Sequence, residues 1–561
     1  MREGPVGDQP VVVVTGGGAG IGAAVAEELG RSGWFVVTVD PLVTLDGSEQ
    51  LPPAEETTAG RIVAAGGSAR ASSVSVTDRA GVRALFDGLV DERGRLDAVI
   101  NAAGISRPTS FTTGTEEDWL AVLSVHLDGY LNVLHAALPI MAAAGRGRIL
   151  GVTSGSGWRQ ANAGAYGCAK RAVAALTWQL GAQAPDGVAV NAMSPIAVTR
   201  MVTAALGRAG VATSAAAPPA SGSGSGSAAT GGLSLGSMPT PEELGPMAAH
   251  LVSEDVAWCH GQLIFVGGSE VAVIEPPRLL EVVRTDDVTS LPHLLERFVA
   301  GALIPAEAAQ ASGGGSNPRF GPFPDEPPSD DLPPSAIQTC AIVSDRPELT
   351  KAIESALGAR GVTTLTVAPD AVGAASGFEG AAAALGAVAE QGPPIDAVVV
   401  ALAADADASA TPGWEQTLHS HDDLVARLHA DISRVRAVAD HATADRPIRV
   451  VTLTDAATPG GRTRAQVSAQ LARAAQKATK GQVAAFAVSD ESSTDADLRP
   501  LAEIAAHLLC SDGAVALSGA ELAAGDGWFG LRAHPHPTAS ITFGGPAVPP
   551  WLDDVLRDVT A

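Results

Sequence analysis

The stretch from Ser154 to Lys170, SGSGWRQANAGAYGCAK, sets a serine, a tyrosine and a lysine in order, with the lysine four residues after the tyrosine. The pair stands out against the composition. The chain has two tyrosines, Tyr130 and Tyr166, and four lysines, Lys170, Lys351, Lys477 and Lys480, against 32 arginines. Lys170 is therefore the only lysine in the first 350 residues. On a helix, residues i and i+4 share a face, so both heads can reach one point. A tyrosine hydroxyl, with an ordinary pKa of about 10, is a poor base at neutral pH. A nearby ammonium favours the phenolate and is expected to pull that pKa towards the working range. Lysine suits this task as a compact point donor, where arginine would bring a broad planar fork. The same spacing also fits two ordinary surface residues, so its meaning rests on the elements around it.

Val11 to Val14 reads as a short buried strand, running into TGGGAGIG, Thr15 to Gly22, and then a helix striped by Ile21, Val25 and Leu29. Strand, glycine turn and helix together let the backbone approach a pyrophosphate and offer it a helix N-terminus. The next strand, Phe35 to Val39, ends at Asp40. A carboxylate there can take hydrogen bonds from both ribose hydroxyls of NAD, and it repels the 2′-phosphate of NADP. No arginine follows immediately to receive that phosphate. Further strands are predicted at Ala69–Val76, Leu96–Ile100 and Arg148–Thr153, with helices between them. One is Arg79–Glu92; another, opened by a cap at Thr115 to Asp118, carries His126 and Tyr130. Asn101-Ala102-Ala103-Gly104 follows a strand with residues small enough for a cofactor to lie against the sheet edge.

At 561 residues the chain is too long for one core. Its net charge of -25 argues against nucleic acid and anionic membrane surfaces as partners. The four cysteines, Cys168, Cys259, Cys340 and Cys510, are scattered without a C-x-x-C pair, which fits a reducing compartment and gives no metal site. No run approaches a membrane span, and the N-terminus lacks a signal-peptide pattern. A cytoplasmic enzyme is the expectation.

Thr15 to Gly22, Asn101 to Gly104, Ser154, Tyr166 and Lys170 follow the order and spacing of the short-chain dehydrogenase/reductase family, which the chain resembles over roughly residues 8 to 275. Asn191 to Thr199, NAMSPIAVT, resembles that family's segment beside the nicotinamide, and Gly261 to Gly268 its last strand. The resemblance implies that Tyr166 is the acid/base, that Lys170 holds the nicotinamide ribose and lowers the tyrosine pKa, and that Ser154 hydrogen-bonds the reacting oxygen. It implies cofactor contacts from Gly16, Gly20, Ile21, Gly22, Asp40, Ser75, Val76, Asn101, Ala102, Gly104, Pro195, Ile196 and Thr199, besides Tyr166 and Lys170.

Three positions depart from the family pattern. His126 stands where most members carry a proton-relay asparagine, as in the hydroxyacyl-CoA dehydrogenase modules of peroxisomal multifunctional enzymes, and is counted as a fourth catalytic residue. Ser75 replaces the aspartate that usually meets the adenine. Pro195-Ile196 replaces Pro-Gly, so the turn there is expected to differ. Trp158, Arg159, Gln160, Asn162 and Met201 are expected to face the substrate. Residues 214–238 read as a flexible lid insertion.

Residues 276–335 are expected to be a linker and docking segment. From 336 to 561 a second strand–helix alternation returns, with strands predicted at Thr339–Ser344, Thr363–Val367, Ala397–Leu402, Arg449–Thr454 and Val483–Val488. The order mirrors the first half, but no glycine turn follows its first strand and no tyrosine follows Tyr166. The expected fold is α/β: a Rossmann-like doubly wound parallel sheet (1–275), then a degenerate Rossmann-like domain (336–561), non-catalytic and serving as an intrachain pseudo-partner. The expected function is NAD-dependent hydride transfer between NAD(H) and a secondary alcohol or ketone, with a 3-hydroxyacyl-CoA or a sterol-like molecule as substrate. A catalytically weak scaffold or NAD-binding interaction protein is the alternative, and a homodimer is compatible with either.

Overall fold

The computed structural model describes residues 9–158, 163–208, 238–285, 287–311, 334–368, 377–390, 392–402, 413–493, 496–545 and 547–560. Arg159, Gln160, Asn162, most of the lid insertion and residues 312–333 of the expected linker and docking segment lie outside them. The strands in chain order are β1 (Val11–Thr15), β2 (Phe35–Val39), β3 (Ser68–Ser72), β4 (Ala98–Asn101), β5 (Gly147–Val152), β6 (Val188–Pro195), β7 (Leu263–Gly267), β8 (Glu270–Glu275) and β9 (Leu279–Arg284). They continue as β10 (Thr339–Ser344), β11 (Thr363–Val367), β12 (Ala397–Leu402), β13 (Ile448–Asp455), β14 (Val483–Asp490), β15 (Glu521–Gly525), β16 (Trp528–Arg532) and β17 (His536–Thr542).

Two α/β sheets result. The first has the order β17-β8-β7-β6-β5-β4-β1-β2-β3 and the second β11-β10-β12-β13-β14-β15-β16-β9. β1 is buried along its whole length, as a central parallel strand with helices on both faces must be. In each sheet the strand order reverses beside the first strand of the unit, β1 or β10, and the carboxyl ends of the strands there form the crevice where such folds bind ligands.

The sheets exchange edge strands. β9, which follows the first unit in sequence, pairs antiparallel with β16 of the second sheet. β17, near the C-terminus, returns to pair antiparallel with β8 of the first. The expected division at 275 and 336 therefore cuts across both sheets. Of the expected docking segment, residues 279–284 are a strand, and Leu291, Leu295, Phe298 and Val299 are buried in the second unit's core.

Corresponding helices of the two units face each other. The helix Gly164–Gln183, which carries Tyr166, packs on Pro459–Ala478, and Glu116–Leu123 packs on Leu424–Ala439. One apolar cluster runs through the contact, joining Ala172, Val173 and Leu176 to Val467, Leu471 and Ala475. Like-to-like packing of this kind is the geometry of a two-fold interface between identical subunits, here within one chain.

Candidate active site

The predicted cofactor residues line the carboxyl ends of β1, β2 and β4. Gly16 has φ 66°, and a Cβ added there would lie 2.7 Å from the Ala102 carbonyl oxygen, so only glycine lets the two strand ends approach this closely. At Gly20, φ 56°, an added Cβ would meet nothing within 4 Å, so the turn opens outward at that point. The helix Gly20–Arg31 has no side-chain cap, so the N–H groups of its first turn are not taken up by a cap. Asp40 is fixed at the mouth: Oδ2 accepts from the Gly18 N–H at 3.1 Å and Oδ1 from the Leu42 N–H at 2.9 Å. Thr15 Oγ1 donates to Asn101 Oδ1 at 2.8 Å and so ties the end of β1 to that of β4. This cradle fits a dinucleotide.

The outlying predicted contacts are spent on local structure. The Ser75 hydroxyl lies 2.8 Å from that of Thr77. Val76 is buried, and its carbonyl accepts from Asn132 Nδ2 at 2.9 Å. The predicted strand over residues 69–76 ends at Ser72, which leaves Ser75 and Val76 in the turn before the next helix. Pro195 ends β6, and the Ile196 N–H donates to the Val266 carbonyl at 3.0 Å, tying the altered turn to β7. Thr199 Oγ1 accepts from the Val202 N–H at 3.2 Å.

Ser154 lies just past β5, its Oγ accepting from the Ser156 N–H at 3.3 Å, and it favours the Tyr166 phenolate. Lys170 is buried, with Nζ donating to the Val152 carbonyl at 2.6 Å and lying 5.7 Å from the Tyr166 ring centroid. Tyr166 and Lys170 thus lie together beside the carboxyl end of β5, which Ser154 follows. The expected electrostatics do not follow. Burial holds the Tyr166 hydroxyl above its ordinary pKa, and the Ser154 hydrogen bond offsets only part of this. Burial also brings Lys170 down to about 7. Its ammonium is engaged by a backbone carbonyl and is only partly charged at neutral pH, so it does not pull the phenol down.

His126 sits in a π-helical turn, Ser124–Asp128, of the kind often found at functional sites. Its ring stands edge-on to Tyr166, with centroids 5.1 Å apart. Nε2 sits between the Ile105 carbonyl oxygen at 2.9 Å and the Ile105 N–H at 3.2 Å, so the backbone of Ile105 holds it in either tautomer, and buried Nδ1 has no partner among the described residues. Burial, then Lys170, lower its pKa to about 3. It is therefore neutral at physiological pH. In the unfolded chain it takes a proton below about 6.5, so its contribution to stability is present above that value and is lost as pH falls towards 3. By pH 5 this single group removes about 2 kcal/mol. Urea midpoints at pH 7.5 and 5.0 should differ accordingly, and the difference should shrink in His126→Asn; an unchanged difference would refute the assignment of a buried neutral imidazole.

Trp158, expected at the substrate wall, is instead a core residue, 6% exposed and packed with Ala174, Ala192, Leu263 and Ile274. Met201 is half-buried on the helix Arg200–Arg208. The sequence reading missed Arg171, which is fully buried and pairs with Glu521 of the second unit at 2.6 Å. An arginine in a helix of small residues, directly after the catalytic-type lysine, was the available signal, since a buried charge demands a partner.

A dinucleotide cradle facing a serine–tyrosine–lysine cluster defines a class of α/β nicotinamide-dependent oxidoreductases. Residues 10–209 match the short chain dehydrogenase family model. The short-chain reductase protein NovJ of Streptomyces niveus is 32% identical over 265 residues, 47% of this chain and 94% of NovJ. The chain belongs to the short-chain dehydrogenase family. The peroxisomal hydratase-dehydrogenase-epimerase of Saccharomyces cerevisiae is 35% identical over 196 residues, 34% of this chain and 21% of the yeast protein, so the chain spans about a fifth of that relative. Among solved structures, the N-domain of a bacterial malonyl-CoA reductase with NADP aligns over 90% of this chain and 95% of its own, with TM-score 0.61 and 18% identity. That likeness shows that the two-unit fold as a whole recurs.

Proposed function

We propose that the protein interconverts a secondary alcohol and its ketone using NAD(H), with a 3-hydroxyacyl-CoA, or a bulkier sterol-like molecule, as the alcohol. The observation that carries this reading is the convergence of Ser154, Tyr166 and Lys170 opposite the glycine turn. A nicotinamide cofactor held there supplies or accepts the hydride. In the reductive direction the Tyr166 hydroxyl donates its proton to the carbonyl oxygen, the form in which burial keeps it, while Ser154 gives that oxygen a second hydrogen bond. Likeness to the dehydrogenase-bearing yeast enzyme supports the acyl-CoA class.

Asp40 supports NAD over NADP. Its carboxylate, locked by two backbone N–H groups at the end of β2, would meet the adenosine ribose of a dinucleotide held on the glycine turn. Calorimetric titration should show NADH binding at least about tenfold more tightly than NADPH, and Asp40→Ala should bring the two within a few-fold. A preference for NADPH in the native chain would reverse the cofactor assignment and leave the reaction class intact.

The second unit is read as a non-catalytic, built-in partner. Only Asp345 and Arg346 join β10 to its helix, where the first unit has a glycine turn, and Arg346 pairs with buried Asp490 at 2.8 Å. Only residues 456–458 lie between β13 and the next helix, where the first unit has 153–163 with Ser154. The scaffold reading draws on His126, whose Nε2 is spent on Ile105 and which is too weak a base to relay protons at neutral pH. An intact Ser154–Tyr166–Lys170 set serves no purpose in a scaffold, which favours the enzyme.

A further inference from the structure

We propose that Gln470, on the facing helix of the second unit, is a positioning residue for Ser154 and Tyr166, so that the active site is incomplete without the second unit. Gln470 is 2% exposed, and its Nε2 donates to the Ser156 carbonyl at 3.2 Å. The N–H of the same Ser156 donates to Ser154 Oγ. Ser156 is therefore gripped on both sides, by the second unit through its carbonyl and by the catalytic serine through its amide. Its orientation sets where Ser154 Oγ points, and Ser154 is the neighbour that favours the Tyr166 phenolate against burial.

The Gln470 amide is itself oriented. Arg473 Nη1 donates to Gln470 Oε1 at 3.1 Å, which leaves the amide N–H groups to face Ser156. Arg473 Nη2 donates to Glu521 at 2.5 Å, and the other oxygen of Glu521 accepts from Arg171, the residue after Lys170. Burial works against the Glu521 carboxylate, but Arg171, Arg473 and His534 outweigh it and hold the group below the usual carboxylate range. A closed chain thus runs from Ser156 through Gln470, Arg473, Glu521 and Arg171 back to the backbone beside Lys170. The chain also explains Gly167, next to Tyr166: a Cβ there would lie 3.0 Å from the Ser156 carbonyl oxygen and 3.2 Å from Gln470 Nε2. The links are hydrogen bonds between buried or half-buried groups, and the innermost, Arg171 to Glu521, is fully buried.

This proposal rests on the reading of Tyr166 as the acid/base, and its test separates the two. With only two tyrosines, the full-length protein labelled with [4-13C]tyrosine gives two resonances, assigned by Tyr166→Phe. Gln470→Met fills the volume without donors or acceptors; Gln470→Glu keeps the contact with Arg473 but has no N–H for Ser156. In both, the Tyr166 resonance should move at neutral pH, while that of Tyr130, buried against Gly151, stays in place and the melting temperature holds. Turnover of acetoacetyl-CoA with NADH should fall on the order of ten- to a hundredfold in kcat, with NADH affinity unchanged. A Tyr166 resonance that stays put in either variant overturns the proposal, as does movement of both resonances, the mark of general loosening. If Tyr166→Phe retains turnover, the acid/base reading fails on its own account, whatever Gln470 does.

Discussion

Tyr166→Phe should lower kcat for acetoacetyl-CoA reduction by roughly a hundred- to ten-thousandfold, with NADH binding unchanged within about twofold. The substitution is close to silent for packing. The phenylalanine ring keeps its edge-on contact with His126 and its place beside the Lys170 ammonium. What it loses is one buried hydroxyl beside Ser154. No other group in the cluster can supply the proton instead. His126 is neutral, with Nε2 held by the backbone of Ile105, and the Ser154 hydroxyl is far too weak an acid. Lys170, brought to about 7, is the nearest titratable donor, but Nζ is directed at the Val152 carbonyl. Steady-state kinetics beside a calorimetric NADH titration decides the matter. Turnover within tenfold of the native protein sinks the acid/base role, and loss of both turnover and NADH binding shows the residue to be structural.

How far the sequence reveals this molecule depends on the distance over which each feature is determined. β10, β11 and β12 coincide with the predicted ranges because runs such as Ala397–Leu402, buried on both faces, carry their own signal between breakers. The glycine turn and the Ser154–Tyr166–Lys170 set are also local patterns. β9 and β17 were invisible because each is an edge strand defined by a partner in the other half of the chain, β17 pairing with a strand more than 260 residues away. Gln470 is likewise an ordinary helix residue until the fold sets it against Ser156, 314 positions earlier. Trp158 and the Tyr166 pKa show a different failure. Residue types correctly marked the site, but burial, which spacing does not report, moved the tryptophan into the core and reversed the direction of the tyrosine shift.

A chain ending at Glu275, which holds Ser154, Tyr166, Lys170 and every proposed cofactor contact but not Gln470, should fail to yield a soluble, active monomer. Three separate losses converge. β8 loses β17, its antiparallel partner from Glu270 to Glu275, and becomes an exposed edge of six residues with apolar Val271, Val273 and Ile274; such an edge recruits other chains. The C-terminal helix Leu552–Thr560, whose Leu552 and Leu556 are buried in the first unit's core, is removed from β8, on which it packs, and from His250, which pairs with its Asp553. The Tyr166 helix loses the facing helix Pro459–Ala478 and Glu521, which leaves a stripe of Ala172, Val173 and Leu176 and the Arg171 guanidinium without their cover. A contiguous apolar surface of this kind on a small domain drives association. Light scattering after size exclusion should therefore find aggregate or no soluble protein. A monodisperse, fully active monomer would show that neither the strand exchange nor the helix pairing is needed, and with them would fall the reading of the second unit as a built-in partner. A soluble dimer of the truncated chain would point the other way: like-to-like helix packing could then be met by a second copy of the first unit, which is the role the second unit fills in the intact chain.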